Sequence, residues 1–167
     1  MATHEPSILG FNSGPDASGS VFVEPYSIKA TNDVWRDHHI IFNDTATRDL
    51  FYGQFTVPQN YVGTALLVII WTAQVTSGNV VWDFDYRTVG GDDTTSLDQA
   101  GVEESVTVTD AAPGATDRRL RVTIALTAAN FSAGETVKFL FGRDGTAADT
   151  MSGAAQAVDL LFSYSDV

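Results

Sequence analysis

The chain has no cysteine. Disulfides and thiolate metal sites are therefore excluded, and packing alone must hold the fold. The absence does not choose a compartment. Basic residues are scarce: 9 Lys and Arg stand against 21 Asp and Glu, a net charge of -12. Such a surface repels phosphate and no basic stripe offsets it, so no nucleic-acid partner is expected. Long apolar runs are missing too. Only residues 65–71 are strongly apolar, far short of the ~20 residues that a membrane helix requires, so no membrane partner is expected. Residues 1–20 show neither a basic start nor an apolar h-region, and the expectation is a soluble protein made in a cytoplasm. Phosphate loops, dinucleotide fingerprints and Gly-x-Ser-x-Gly elbows are absent. So are heptads, long amphipathic helices and solenoid repeats.

What is there reads as β-structure. A chain of 167 residues fits one domain, and a domain of this size buries roughly 70% of its unfolded surface, enough for a core without staples. Residues 61–89 organise it. They read as two long strands joined by a tight turn at Thr76, Ser77, Gly78 and Asn79. The first is apolar on both faces: Leu66, Val68 and Ile70 on one, Ala65, Leu67, Ile69 and Trp71 on the other. The second alternates, with Val80, Trp82, Phe84 and Tyr86 opposite Val81, Asp83, Asp85 and Arg87. Further strands are expected at 39–43, 50–57, 102–109, 119–127, 136–142 and 156–163, with Pro58 ending the second of these. Phe131 reads as a core plug in the connection between the strands at 119–127 and 136–142.

Eight strands separated by turns predict an all-β chain: an antiparallel two-sheet β-sandwich, a jelly roll of about eight strands. Residues 1–36 are punctuated by Pro6, Pro15, Pro25, Gly10, Gly14 and Gly19. They predict an extended N-terminal arm with one short strand at 20–24, ahead of a sandwich domain over 37–167. Ile8, Leu9, Phe11, Phe22, Tyr26 and Trp35 would anchor that arm, on its own domain or on a neighbouring subunit. The doubly apolar run at 65–71 must likewise be covered by the arm or by a subunit interface, and the interface is the favoured reading.

No constellation commands a chemistry. His38 and His39 are adjacent, so on a strand they point to opposite faces and cannot chelate together. With His4 they lack the spacing of a zinc site, and no metal-ligating or catalytic residue is expected. Asp83 and Asp85 share one strand face ~7 Å apart, within the range of glycosidase carboxylates. A solvated face with Arg87 as counter-charge is the plainer account. Asp92, Asp93 and Asp98, or Asp144 and Asp149, could hold calcium, but neither stretch matches an EF-hand loop. Trp71, Trp82, Phe84 and Tyr86 could stack on sugars, although alternating strand aromatics are more often core. No cofactor is expected.

Some packing and turn residues have a known counterpart. They are the run from Phe55 through Thr56, Val57, Pro58, Gln59 and Asn60 to Tyr61, the apolar strand ending in Trp71, and Gly78, Asn79, Val80, Val81 and Trp82 with Asp85 and Tyr86. Arg143, Asp144 and Gly145 with Ala148, Asp149 and Thr150, and the closing alternation from Val158 to Tyr164, complete the set. From Leu50 to the end this pattern resembles the jelly-roll virion proteins of tailed phages, the capsid decoration and auxiliary head protein group. The resemblance implies a non-enzymatic virion structural protein, a homotrimer on the capsid exterior that cements joints of the major capsid protein and is assembled in a host cytoplasm. The arm before Leu50 does not share the pattern. The alternative carried beside it is a tail-fibre or host-recognition jelly roll that binds glycans, for which an exposed aromatic platform is the feature to find.

Overall fold

The computed structural model describes residues 2–9, 14–15, 22–26, 37–90, 96, 98, 101–146 and 148–166, with backbone alone at 14–15, 22–26 and 37. In chain order the strands are β1 (Thr3–His4), β2 (Gly14–Pro15), β3 (Phe22–Tyr26), β4 (Asp37–Phe42), β5 (Arg48–Thr56) and β6 (Gly63–Ala73). Then come β7 (Asn79–Val89), β8 (Glu104–Ala111), β9 (Leu120–Leu126), β10 (Thr136–Asp144) and β11 (Ala155–Ser165). A single 3-10 turn, Ala128–Asn130, follows β9. The eight long strands expected from period-two burial are all present, as β4 to β11, and the short strand expected at 20–24 is β3. The fold is all-β, two antiparallel sheets packed face to face.

The first sheet runs β3-β4-β11-β6-β9, with β1 on the edge of β11 beyond the end of β4. The second runs β2-β5-β10-β7-β8. Between them lie Ala65, Leu67, Ile69, Trp71 and Ala73 of β6, Val80, Trp82, Phe84 and Tyr86 of β7, and the inward residues of β5, β9, β10 and β11. Trp82 stacks on Phe141 at 5.2 Å and meets Trp71 edge-on at 5.5 Å. Phe131 is buried as expected, stacked on Tyr86 at 4.9 Å.

The central pair is corrected. Strands β6 and β7 are not a hairpin. Their alternation was legible, but they belong to opposite sheets and face each other across the core. β6 lies between β11 and β9, and β7 lies between β10 and β8. The connection from Gln74 to Gly78 has five residues where a tight hairpin uses two, long enough to cross the ~10 Å between packed sheets. Gly78 sits in the crossing with φ of 92°, and a Cβ there would stand 2.7 Å from Met151 Cα. Both facts call for glycine.

The second apolar face of β6 is corrected as well. Val68 is fully buried and Ile70 is 3% exposed within the single chain. Leu161 and Thr123 flank Val68, and Asp159 and Arg121 flank Ile70. Arg121 pairs with Glu5 of the N-terminal segment. Val68 and Ile70 are thus covered by their own chain and Leu66 is half-buried, so the run no longer calls for a subunit interface. Among the described residues, the exposed large hydrophobics are Tyr52, Val62 and Val102, single side chains rather than a patch.

The described parts of the expected arm belong to the sheets. β1 pairs with β11, Ile8 N donates to Leu160 O at 2.8 Å, β2 pairs with β5 and β3 with β4. Ile8 is part of the core and Leu9 packs against it. Phe22 and Tyr26 stand opposite Ile41 and Asp37 in the β3–β4 ladder. Phe11 and Trp35 lie outside the described residues.

Candidate functional site

On β5 the inward residues Phe51 and Phe55 leave Arg48, Leu50, Tyr52 and Gln54 on the opposite side, facing away from the core. The ladders carry that face across four strands in rows. Leu50, Gly142, Asp83 and Thr107 form one row, and Tyr52, Leu140, Asp85 and Ser105 the next. Gln54, Lys138 and Arg87 form a third, and Arg48 and Asp144 stand beside each other at the end. The flanks are open: Tyr52 is 50% exposed, and Gln54, Ser105 and Thr107 are exposed as well.

The middle of the face is different. Asp83 and Asp85 are 3% and 6% exposed, not the solvated residues their alternation suggested. Their counter-charge is Arg48, from a strand two positions away, and not Arg87. Arg48 Nε donates to Asp83 Oδ2, and Arg48 Nη2 donates to Asp85 Oδ2 at 2.7 Å. Ser105 Oγ donates to Asp85 Oδ1. Arg87 Nη1 instead donates to Gly101 O at 3.1 Å.

Arg48 reaches its carboxylates across β10. Gly142 lies on that strand in the row of Leu50 and Asp83, and a Cβ there would run into Asp49 O and stand 2.8 Å from Leu50 Cδ2.

The electrostatics of the triad follow from burial. Burial alone would lower the Arg48 pKa, but the two carboxylates outweigh it and raise it. Burial raises the Asp83 carboxyl above its ordinary value. Arg48 pulls it back, Asp85 and Asp144 push it up, and the net direction is up. The two partners thus shift upward together, because Asp83 is enclosed while Arg48 keeps about a third of its side chain in solvent. Asp83 Oδ1 is buried and accepts no hydrogen bond.

Chemically, this face offers fixed acceptors and donors beside one exposed ring. Both Asp85 oxygens are engaged and one Asp83 oxygen is engaged, so neither carboxylate stands as a free nucleophile.

The other candidates fall elsewhere. Trp71, Trp82, Phe84 and Tyr86 are at most 1% exposed and form core, not a sugar platform. His38 is exposed and His39 buried, as opposite faces require, and His39 Nδ1 meets Gln156 Oε1 at 3.1 Å. His4 Nε2 pairs with Asp166 at 2.8 Å. Asp149 is saturated: it accepts from Arg143 Nε at 2.8 Å, Arg143 Nη2 at 2.7 Å, Val81 N at 3.1 Å and Met151 N at 3.1 Å. Burial opposes its charge, but those donors prevail and hold it below the ordinary carboxylate range. Asp144 Oδ1 accepts from Thr146 N at 2.9 Å. Asp92 and Asp93 lie outside the described residues, and among those described no group of three His, Asp or Glu residues could hold a metal ion.

The sequence reading passed over Tyr52 and Arg48. The alternation of β5 already put Tyr52 outward, so that signal existed. Nothing local links Arg48 to residues 35 and 37 positions away.

No family model matches the chain, and no curated protein matches it in sequence. Solved structures share the fold. A carbohydrate-binding module of family 35 from Paenibacillus barcinonensis superposes with a TM-score of 0.52 at 13% identity, covering 99% of this chain and 100% of that one. A second module of that family, from Cellvibrio japonicus, gives 0.50 at 12% identity, covering 99% and 95%. An arabinose-bound α-L-arabinofuranosidase gives 0.51 at 12% identity over 92% of this chain, which spans only 23% of that enzyme. At such identities the likeness is one of fold.

Proposed function

We propose that this chain is a non-catalytic β-sandwich module that binds a glycan on the outward face of its second sheet. The observation that carries the reading is one juxtaposition: exposed Tyr52 shares a ladder row with Asp85, beside the Arg48–Asp83–Asp85 triad. A sugar ring offers an apolar face to an aromatic ring and hydroxyls to charged groups, and charge-assisted hydrogen bonds are the strong ones. The fold shared with carbohydrate-binding modules supports the same reading. In the virion setting implied by the sequence resemblance, the role becomes host recognition by a tail-fibre module. Capsid cementing loses its main physical motive, because the apolar surplus of β6 and Ile8 are both buried within the chain. Screening the protein against a printed glycan panel, with Tyr52→Ala as control, tests the proposal. Specific spots that vanish in the variant support it. A blank panel, with full binding to intact capsids, would return the protein to the cement reading.

A further inference from the structure

Resting on that reading, we infer that the face takes an internal stretch of a neutral polysaccharide chain, laid across the strands from Tyr52 towards Ser105 and Thr107. Its shape gives the first reason. The exposed residues stand on both flanks, Tyr52 and Gln54 on β5 and Ser105 and Thr107 on β8. A chain laid along the Tyr52 row would pass over β2, whose Gly14 pairs with Tyr52, on one side and over the edge strand β8 on the other. The row from Tyr52 to Ser105 crosses three strand spacings, roughly 14 Å, which is room for a short run of rings rather than one.

Charge gives the second. Arg48, Lys138 and Arg87 match Asp83, Asp85 and Asp144 one for one on this face, within a chain of net charge -12. An acidic glycan finds no surplus cation here and meets the repulsion of the whole molecule. Arg48 is already shared between two carboxylates and Arg87 is held by Gly101 O.

The third reason is the oxygen left over. Asp83 is 97% enclosed, by its 3% exposure, and its Oδ1 has no donor. Buried acceptors are normally satisfied. The inner side of β7 is packed core, so a donor must come from the outward face, displacing the partly exposed Arg48 side chain along Asp85. A sugar hydroxyl is a neutral donor suited to that place. A uronate carboxylate would bring another acceptor.

The test is calorimetry on the whole chain with neutral gluco-, xylo-, manno- and galacto-oligosaccharides of increasing length, against oligogalacturonates of the same lengths. We expect affinity for one neutral series to rise at least about tenfold from monosaccharide to tetrasaccharide. Salt at about 0.5 M should change it less than roughly twofold, and the acidic series should bind at least about tenfold more weakly. Asp83→Asn should weaken neutral binding about tenfold with the melting transition retained. Equal affinity for monosaccharide and tetrasaccharide, tighter acidic binding that salt abolishes, or an indifferent Asp83→Asn variant would each overturn the inference while leaving glycan binding intact. No binding across both series would overturn the glycan reading itself.

Discussion

Two buried arginine–aspartate clusters stand at different places in the sandwich, and they are built to different ends. Arg143 points inward from β10. It is 1% exposed and gives its donors to both Asp149 oxygens and to the carbonyls of Met151 and Gly153, with Asp44 at 3.5 Å. Asp149 in turn receives Val81 N and Met151 N, and Asn79 O accepts from Thr150 N and Met151 N at 2.8 and 3.0 Å. This cluster pins the connection before β11 to the first residues of β7. Arg48 points outward from β5, is partly exposed, and leaves Asp83 Oδ1 unsatisfied. A closed network raises rigidity, and a partly satisfied one leaves a buried group at a cost. The directions of the two aspartate pKa values record that difference: Asp149 lies below the ordinary value and Asp83 above it.

The comparison breaks most easily at the closed cluster. Asp149→Ala leaves Arg143 charged and enclosed, and should cost about 3–5 kcal/mol, read from urea unfolding midpoints. Arg48→Ala should cost less, about 1 kcal/mol, since water already reaches a third of that side chain and enters over the carboxylates once it is removed. Equal losses would end the distinction between the clusters. Gly142→Ala comes next. Its methyl group meets Asp49 O and Leu50, and about 1–3 kcal/mol of overpacking is expected, read from the same unfolding midpoints.

Acid sharpens the contrast further. Asp149 has a lowered folded value, so the unfolded chain binds its proton first, and the stabilisation is complete above the ordinary 3.8 and lost as pH falls through the folded value. Asp83 has a raised folded value, so its ionisation destabilises the fold as pH climbs from 3.8 through that value. Unfolding curves of Asp149→Asn should therefore converge on those of the parent as pH drops below 3.8. Those of Asp83→Asn should gain on the parent as pH climbs above it. Parallel curves across that range for both variants would refute the assignment.

The smallest structural effect belongs to Tyr52→Ala. At 50% exposure it should move stability by no more than about 0.5 kcal/mol. Loss of glycan affinity of about tenfold or more should accompany it. A variant that melts early would make Tyr52 a packing residue instead.

Period-two alternation was local information, and the chain yielded most of it. The inward sets of β5, β7, β9 and β10, the plug at Phe131 and the breaks between strands follow from which residues alternate, because a strand side chain has only two sides to choose from. On β11 a register shift between Ala157 and Asp159 moves the inward set from Ala155 and Ala157 to Leu160, Phe162 and Tyr164, and Val158 falls outside the core. Partnership was another matter. Whether β6 and β7 pair or oppose depends on which other strands take their edges, and β11, from the far end of the chain, takes one of them. The counter-charge of Asp83 and Asp85 comes from Arg48, two strands away across β10. Composition and alternation thus determined an acidic two-layer β-protein without thiols. Only the tertiary arrangement decided which sheet each strand joined and which face carries both buried charge and an exposed ring, because those contacts join residues that are distant in sequence and no local pattern encodes them.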